Sequence, residues 1–569
     1  MNNNRNLDYS SIIGFFLILI VLIVFTFFLN KNNFIEKKEN EFFNQKANFL
    51  IRKRNIKERY SNLENDVLKL RISNIGGIID KVFLKKYKSY DKVANSHVKN
   101  LFLVKKNSFL HRIFFSNSRN SKNTLSTEKI FFKPFIRKEN DDYIILVMKA
   151  IFPNIKKGNL YYVYKIKKGR YYSVDFSIKM NNIPYNLSSL DFQQYLFSVE
   201  KDRNWENSYT KLYYLSSYKD DNNFVKNLSE KNIVEKNISN INWIAAKQQF
   251  FSTIIYSDKI LKDVFIYSKN YFDGKILKKI YISTPLNKKK NKESNFYFHF
   301  YFGPLNFNIL KKYENNFEDI IPFGWGILKY INKYFFLTIF QFLEKSNFSY
   351  GIIVILMTMV VKLLLYPITY KQYKLNAIMK LIRPDIEKLN NQFKDKDVIR
   401  KQQAIMELYK KVGINPMSGC LSALFQIPIF YSLFKFFPTL INLRGESFLW
   451  VDDLTSYDSI LELPFSIPFY GNHVSLLTLL YSIALLVYTK ISSNSEKGIY
   501  NNNEDSIFSN IDIMLYLMPF IMLLFINSYA SALSLYYFTS NLINIIFFII
   551  IKKFLLNEEK ILLRIRTIK

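Results

Sequence analysis

The chain has 569 residues, 49% of them hydrophobic, and its 80 basic side chains against 46 acidic ones give a formal net charge of +34. Lys, Asn, Ile, Phe and Tyr are abundant along the whole length, a bias expected from an AT-rich genome. A specific nucleic-acid surface would concentrate its basic residues, so the charge does not argue for one. A single cysteine, Cys420, excludes an intramolecular disulfide and a cysteine-based zinc cluster, and four scattered histidines (His97, His111, His299, His473) lack ligand spacing, so neither metal nor cofactor is expected.

In chain order, Ile12 to Leu29 is apolar and about long enough to span a bilayer. No small-residue cleavage site follows, which predicts a retained signal anchor over residues 1–33, with a cleaved signal peptide as the alternative. From residue 34 to 322 the pattern shifts to period two. Val67 to Ser73 alternates, Gly76-Gly77 breaks it, and Ile78 to Leu84 resumes. Leu160 to Ile166 and Tyr171 to Met180 flank Lys167-Lys168-Gly169-Arg170, a hairpin signature. Further strands are expected at Phe251 to Tyr256, Ile276 to Ile282 and Phe296 to Phe302, and together they predict one large all-β sandwich. Ser116 to Ser126 reads as a loop by composition. Asp141-Asp142 and Asp220-Asp221 read as solvated turns. No convergent acid/base or nucleophile set is visible, so the chain is not expected to be an enzyme.

Residues 323–348 mix lysines with aromatics, and Ile327, Tyr330, Ile331 and Tyr334 fall at helical spacing. That predicts an amphipathic interfacial helix, or else an ordinary helix under the β-domain. Gly351 to Thr369 is a second span that carries Lys362 deep in an apolar run. A charge at mid-helix costs roughly 2.5–3.5 kcal/mol. Thr358 lies one turn earlier on the same face, and Tyr366 and Pro367 end the span. Position alone leaves two readings of Lys362: a functional cation, or a side chain snorkelling to the interface near Pro367.

Residues 370–419 are polar, basic and helix-prone, and predict a helical hairpin turning at Asn390 to Val398. Further spans follow at Leu421 to Phe437 (with Pro428 inside), Val474 to Tyr488, Met514 to Ile526 and Leu533 to Ile551. The loop Ile441 to Asn472 is acidic, the loop Ser492 to Asp512 is nearly neutral, and the tail 552–569 is basic. The positive-inside rule then predicts six spans with both termini cytoplasmic and the β-domain exported across an inner membrane.

The stretches VVKLLLYPITYKQY, ELYKKVGINPMSGCLSALFQIPIF, FLWVDDLTSYDS and LSLYYFTSNLINII resemble the YidC family of membrane protein insertases, relatives of the mitochondrial and chloroplast insertases. In the exported part LKLRISNIGGIIDKVFLKKYKSY and WIAAKQQFFS also match, so the resemblance covers nearly the whole chain in order. It implies a membrane α-helical bundle of six transmembrane helices, five of them (residues 349–551) forming the insertase core. It also implies a periplasmic all-β supersandwich, a fold shared with sugar-binding enzymes. The core would enclose a hydrophilic groove whose single cation attracts acidic residues of a client's tail while the apolar segment slides into lipid.

Most members have Arg at that position, where this chain has Lys362. Lys keeps the charge but loses the guanidinium's fork of donors. Thr358 matches a groove-lining position and Tyr537 an aromatic one on the last helix. Gln426 and Asn541 match polar positions inside spans, for which interhelical hydrogen bonding is the alternative. For Tyr536 and Tyr537 the alternative is an interfacial aromatic belt, and Trp450 reads equally well as an interface anchor. Ser422 stands where the family usually has Pro.

The implied partners are nascent membrane proteins, the lipid bilayer and the Sec translocon, and the anionic ribosome for the basic tail. A small anion transporter or channel, with Lys362 binding the anion, is the alternative function. Transporters commonly show repeated halves, and none is visible here.

Overall fold

Alternating side chains build the first half of the molecule. In Leu160, Tyr162, Tyr164 and Ile166 every second residue is fully buried, and the neighbouring strand repeats this with Val174, Phe176, Ile178 and Met180. The two strands, Asn159–Lys167 and Ser173–Asn181, pair antiparallel across the expected hairpin, whose Gly169 has φ +88°.

The computed structural model describes residues 58–555 except 118–119, 153–157, 184–185, 218–224, 229–231, 287–292, 393–397, 413–417, 469 and 497–508. The expected anchor Ile12 to Leu29, the basic tail after 555, Asp220-Asp221 and most of the loop Ser492 to Asp512 lie outside the described residues.

Among the described residues the β-domain has a nine-stranded and a six-stranded antiparallel sheet. The centre of the larger sheet is Phe251–Leu261, Ser294–Pro304 and Ser173–Asn181, and the centre of the smaller is Ile276–Pro285, Asn186–Phe197 and Phe109–Asn117. The sheets face each other through aromatic side chains. Phe109 and Phe192 of the smaller sheet meet Phe300 of the larger at 5.6 and 5.9 Å between ring centres. His111 is sealed among these rings, and burial pushes its imidazole down to about 3, so it stays neutral.

A four-stranded sheet precedes the sandwich, and Gly76-Gly77 breaks it where the sequence does. Both glycines have positive φ, and a Cβ on Gly77 would stand 2.8 Å from the Phe132 ring. One expectation changes. Residues 116–126, read as a loop, include the edge strand Asn120–Ser126, paired with Phe109–Asn117. Its bonds are backbone bonds, so a polar composition does not forbid them at an edge.

Ile327–Glu344 is helical with a π turn at Ile331–Phe336. Its exposed face carries Ile327, Tyr330, Tyr334 and Phe342, while Phe336 and Phe340 are buried. Lys329 pairs with Asp319 at 3.0 Å. The helices that follow are Tyr350–Leu381, Arg383–Gln392, Val398–Val412, Ser418–Phe436, Leu476–Glu496, Ser509–Ile526 and Ser531–Ile550. Among the described residues two stretches are long and apolar enough to cross a membrane, Tyr350–Leu375 and Ser531–Phe554.

The Lys362 helix does not stop at Pro367, where the sequence reading ended the span; it continues to Leu381. Pro367 removes one helical donor and crowds the carbonyl of residue 363, but the turns around it are held by packing, Tyr366 on Phe547 and Tyr373 on Phe548. Beyond it Ile382, Ile386 and Tyr409 make a small separate core that joins the two polar helices.

The loop after Phe436 is more than a connection. Leu461–Ile467 and Gly471–Val474 form a two-stranded hairpin, and the segment before it is bolted to the sandwich. Arg444 Nε donates to Glu200 Oε1 and Oε2 at 2.8 and 2.9 Å, with His97 Nε2 at 3.2 Å from the same carboxylate. All three side chains are at most 7% exposed. Burial alone would raise the Glu200 carboxyl, but Arg444 and His97 outweigh it and hold it below its ordinary value. Gln249 donates to the Pro438 carbonyl at 3.1 Å, and Trp205 meets Tyr529 edge-on at 4.7 Å.

Lys247, in the same WIAAKQQFFS stretch, is 1% exposed and donates to the Tyr209 carbonyl at 3.1 Å. Burial, joined by the like charge of Lys211, pulls its ammonium down to about 7. Above that pH the unfolded chain holds more protons than the folded one, so stability rises from about pH 7 toward the ordinary lysine value; below pH 7 the cost of the buried charge is fully present. Lys247→Met is therefore expected to raise the melting temperature of the detergent-solubilised protein by several degrees at pH 6, at about 2–4 °C per kcal/mol, and by less at pH 9.5. A lower melting temperature at pH 6 would contradict this.

Candidate functional site

Two apolar helices meet at Lys362, and two more close the space around it. The side chain leaves Tyr350–Leu381 toward Ser531–Ile550 and is 8% exposed. Its Nζ donates to Asn544 Oδ1 at 2.9 Å, and Tyr373 Oη donates to the Asn544 backbone carbonyl at 3.2 Å. The ammonium is thus held inside the protein by a neutral amide.

Around it lies a cleft of about 630 Å³, open mouth included. Lys362, Thr369 and Gln372 line one wall, and Tyr536, Tyr537, Ser540 and Asn544 line the opposite one. Gln426 and Phe430 of Ser418–Phe436 and Tyr488 of Leu476–Glu496 complete it. No Asp or Glu lines it among the described residues.

Tyr537 fixes one end. Its hydroxyl donates to the Phe430 carbonyl at 3.2 Å, and its ring packs on Phe430, Tyr481 and Tyr536 at 5.0, 5.7 and 5.3 Å. Past these rings the helix ends are filled with polar structure. Asn527, fully buried, donates to the Tyr470 and His473 carbonyls at 2.9 and 2.8 Å and accepts from Ser475 N. Asp458 caps the start of Leu476–Glu496 by accepting from Leu476 N and Leu477 N. Ser531 N and Ala532 N donate to the carbonyls of Ser456 and Leu454.

Of the residues singled out from the sequence, Lys362, Gln426, Tyr536 and Tyr537 come together at the cleft. Thr358 and Asn541 do not line it. Thr358 is fully buried, and its hydroxyl donates to Val354 O within its own helix at 2.7 Å. The Asn541 amide likewise turns back onto its own helix, to Tyr537 O at 3.0 Å. Trp450 donates from Nε1 to Asp458 at 3.2 Å, beside the helix cap.

The sequence reading missed Asn544, Ser540, Thr369 and Gln372. Tyr536, Ser540 and Asn544 recur every four residues, and Thr369 and Gln372 lie seven and ten after Lys362. Both spacings put polar groups on one helical face, and that signal was available.

An all-β sandwich fastened to helices, two of which are long and apolar enough to cross a bilayer, with a polar cleft among them, fits the class of membrane proteins that carry a large folded domain. Residues 342–559 match the family described as 60Kd inner membrane protein, and residues 61–338 match the YidC periplasmic domain. The chain is 35% identical over 535 residues to a membrane protein insertase YidC of Parabacteroides distasonis, covering 90% of this chain and 80% of that one. It is 30% identical over 606 residues to a membrane protein insertase YidC of Azobacteroides pseudotrichonymphae, covering 99% and 95%. The chain belongs to the YidC family of membrane protein insertases. A putative aldose 1-epimerase of Escherichia coli K12 is also similar, with TM-score 0.28 and 9% identity over 44% of this chain and 100% of that one; a likeness at this level bears on no chemistry.

Proposed function

We infer that the cleft around Lys362 is where this insertase receives its clients, nascent membrane proteins entering the bilayer. The observation that supports the reading is a single buried cation in a polar cleft between apolar helices, with no carboxylate lining it among the described residues. Acidic residues of a client's tail are drawn to the ammonium, while the apolar segment leaves sideways into lipid. Transfer of apolar side chains into hydrocarbon supplies the free energy, so no covalent step is needed. Vesicles loaded with the protein should insert a single-span client that protein-free vesicles do not; equal insertion in both would end the reading. An anion-transport role finds no support in the polar packing that fills the helix ends beyond Tyr537.

The same reading includes six spans, five of them forming the core, with both termini cytoplasmic and the sandwich periplasmic. It also gives the exported domain a contact with the Sec translocon and the basic tail an approach to the ribosome. Topology is the part tested most directly. In a Cys420→Ser background, which removes the only native thiol, Lys388→Cys should react with an impermeant maleimide only after the inner membrane is opened. Lys138→Cys, on an exposed stretch of the sandwich, should react in spheroplasts without it. The reverse pattern would overturn the orientation.

A further inference from the structure

We propose that Asn544 is a specificity-determining residue of the cleft: its amide oxygen holds the Lys362 ammonium in place without cancelling its charge. The inference rests on the client-receiving role of the cleft and goes one step further, to what keeps the cation available.

The chemistry of the contact is forced. An ammonium has three donors and no acceptor, so only the oxygen of the Asn544 side chain can face it, and the 2.9 Å separation is that of a charge-assisted hydrogen bond. Both groups are nearly buried, Lys362 at 8% and Asn544 at 7% exposed. A flexible four-carbon side chain in a cleft of this size has other places to go, including the interface. Asn544 keeps it in the cleft.

The partner's backbone is held in turn, because Tyr373 Oη, about three turns further along the Lys362 helix, donates to the Asn544 carbonyl and joins the two helices a second time. Asn544 uses one of the three ammonium donors, which leaves two for a client carboxylate. A carboxylate at position 544 would make the same hydrogen bond with the same shape but would form an internal ion pair. The cleft would then offer a passing acidic residue no net charge. Neutrality at 544 therefore belongs to the function of the cation as much as the lysine does.

The isosteric change Asn544→Asp separates the two roles. The full chain, reconstituted in vesicles, is given two single-span clients that differ only in an acidic or a neutral translocated tail. Asn544→Asp is expected to reduce insertion of the acidic-tailed client about tenfold more than that of the neutral-tailed one. Asn544→Leu, which removes the anchor but not the charge, should keep a preference for the acidic tail at reduced yield. A merely structural role for Asn544 predicts equal losses for both clients in both variants, and that result would overturn the proposal. Lys362→Ala, run beside them, identifies which idea has failed. If it does not discriminate the two clients, the client-receiving reading itself falls. If it does and Asn544→Asp does not, only the role of Asn544 is wrong.

Discussion

Lys362→Ala is expected to lower insertion of a client with an acidic translocated tail by an order of magnitude or more, Lys362→Glu to lower it further, and Lys362→Arg to retain it. The scale follows from Coulomb's law. A unit pair at about 4 Å in an effective dielectric near 20 is worth about 4 kcal/mol before desolvation, and a third of that is already about tenfold in occupancy. A client with a neutral tail never uses the charge and should lose much less in Lys362→Ala. If the lysine served only to fit its own helix in the bilayer, Lys362→Ala would change both clients alike. Insertion yields of the matched pair in the three variants decide the matter, and equal losses for both clients would remove the cation mechanism from this protein.

The second large effect is expected where the sandwich is fastened. Arg444→Met keeps an apolar stem beside the Phe251 ring, which the guanidinium carbon now approaches to 5.0 Å from its centre. It leaves Glu200 buried with His97 as its remaining close basic partner. Removing one partner of a buried pair typically destabilises by about 3–5 kcal/mol, because the other charge is left without compensation. The double variant Arg444→Met/Glu200→Gln should be milder than Arg444→Met alone, since it removes the stranded charge as well. The two changes are thus expected to be non-additive. Melting temperatures of the two single variants, Arg444→Met and Glu200→Gln, and of the double variant measure this against the unaltered protein, and strict additivity would show that the pair does not act as a unit.

These two sites were unequally legible in the sequence. The sandwich could be read because burial at period two is a local property: residues 160, 162, 164 and 166 declare it without reference to any partner. Lys362 could be read because a charge in an apolar run is expensive wherever the run folds. Its partner could not be read by the same logic. Asn544 shares a polar helical face with Tyr536 and Ser540, but it is bonded to a residue 182 positions away, and the spacing does not say that this face, and not that of Asn541, which turns back on its own helix, meets the lysine. The junction was invisible for a similar reason, since Arg444 and Glu200 are 244 residues apart and each looks like an ordinary surface charge. The hairpin Leu461–Ile467 and Gly471–Val474 was absorbed into an acidic loop, because its two short strands are too brief for a periodic signal.

The helix that runs on through Pro367 has a consequence for the length of the crossing. Lys362 is the thirteenth residue of Tyr350–Leu381, so it stands roughly 18 Å from the first turn at 1.5 Å per residue. The hydrocarbon of a bilayer is about 30 Å thick. In the orientation inferred above, a client tail that has reached Lys362 through a wet cleft has the shorter distance left to travel without water. An extended chain advances about 3.3 Å per residue, so about five or six peptide groups are dry at one time instead of about nine. Each of those groups would otherwise lack a hydrogen-bond partner at the top of the barrier. On that reading, the depth at which the lysine is set on its helix would fix how many residues of a tail must give up their hydration together.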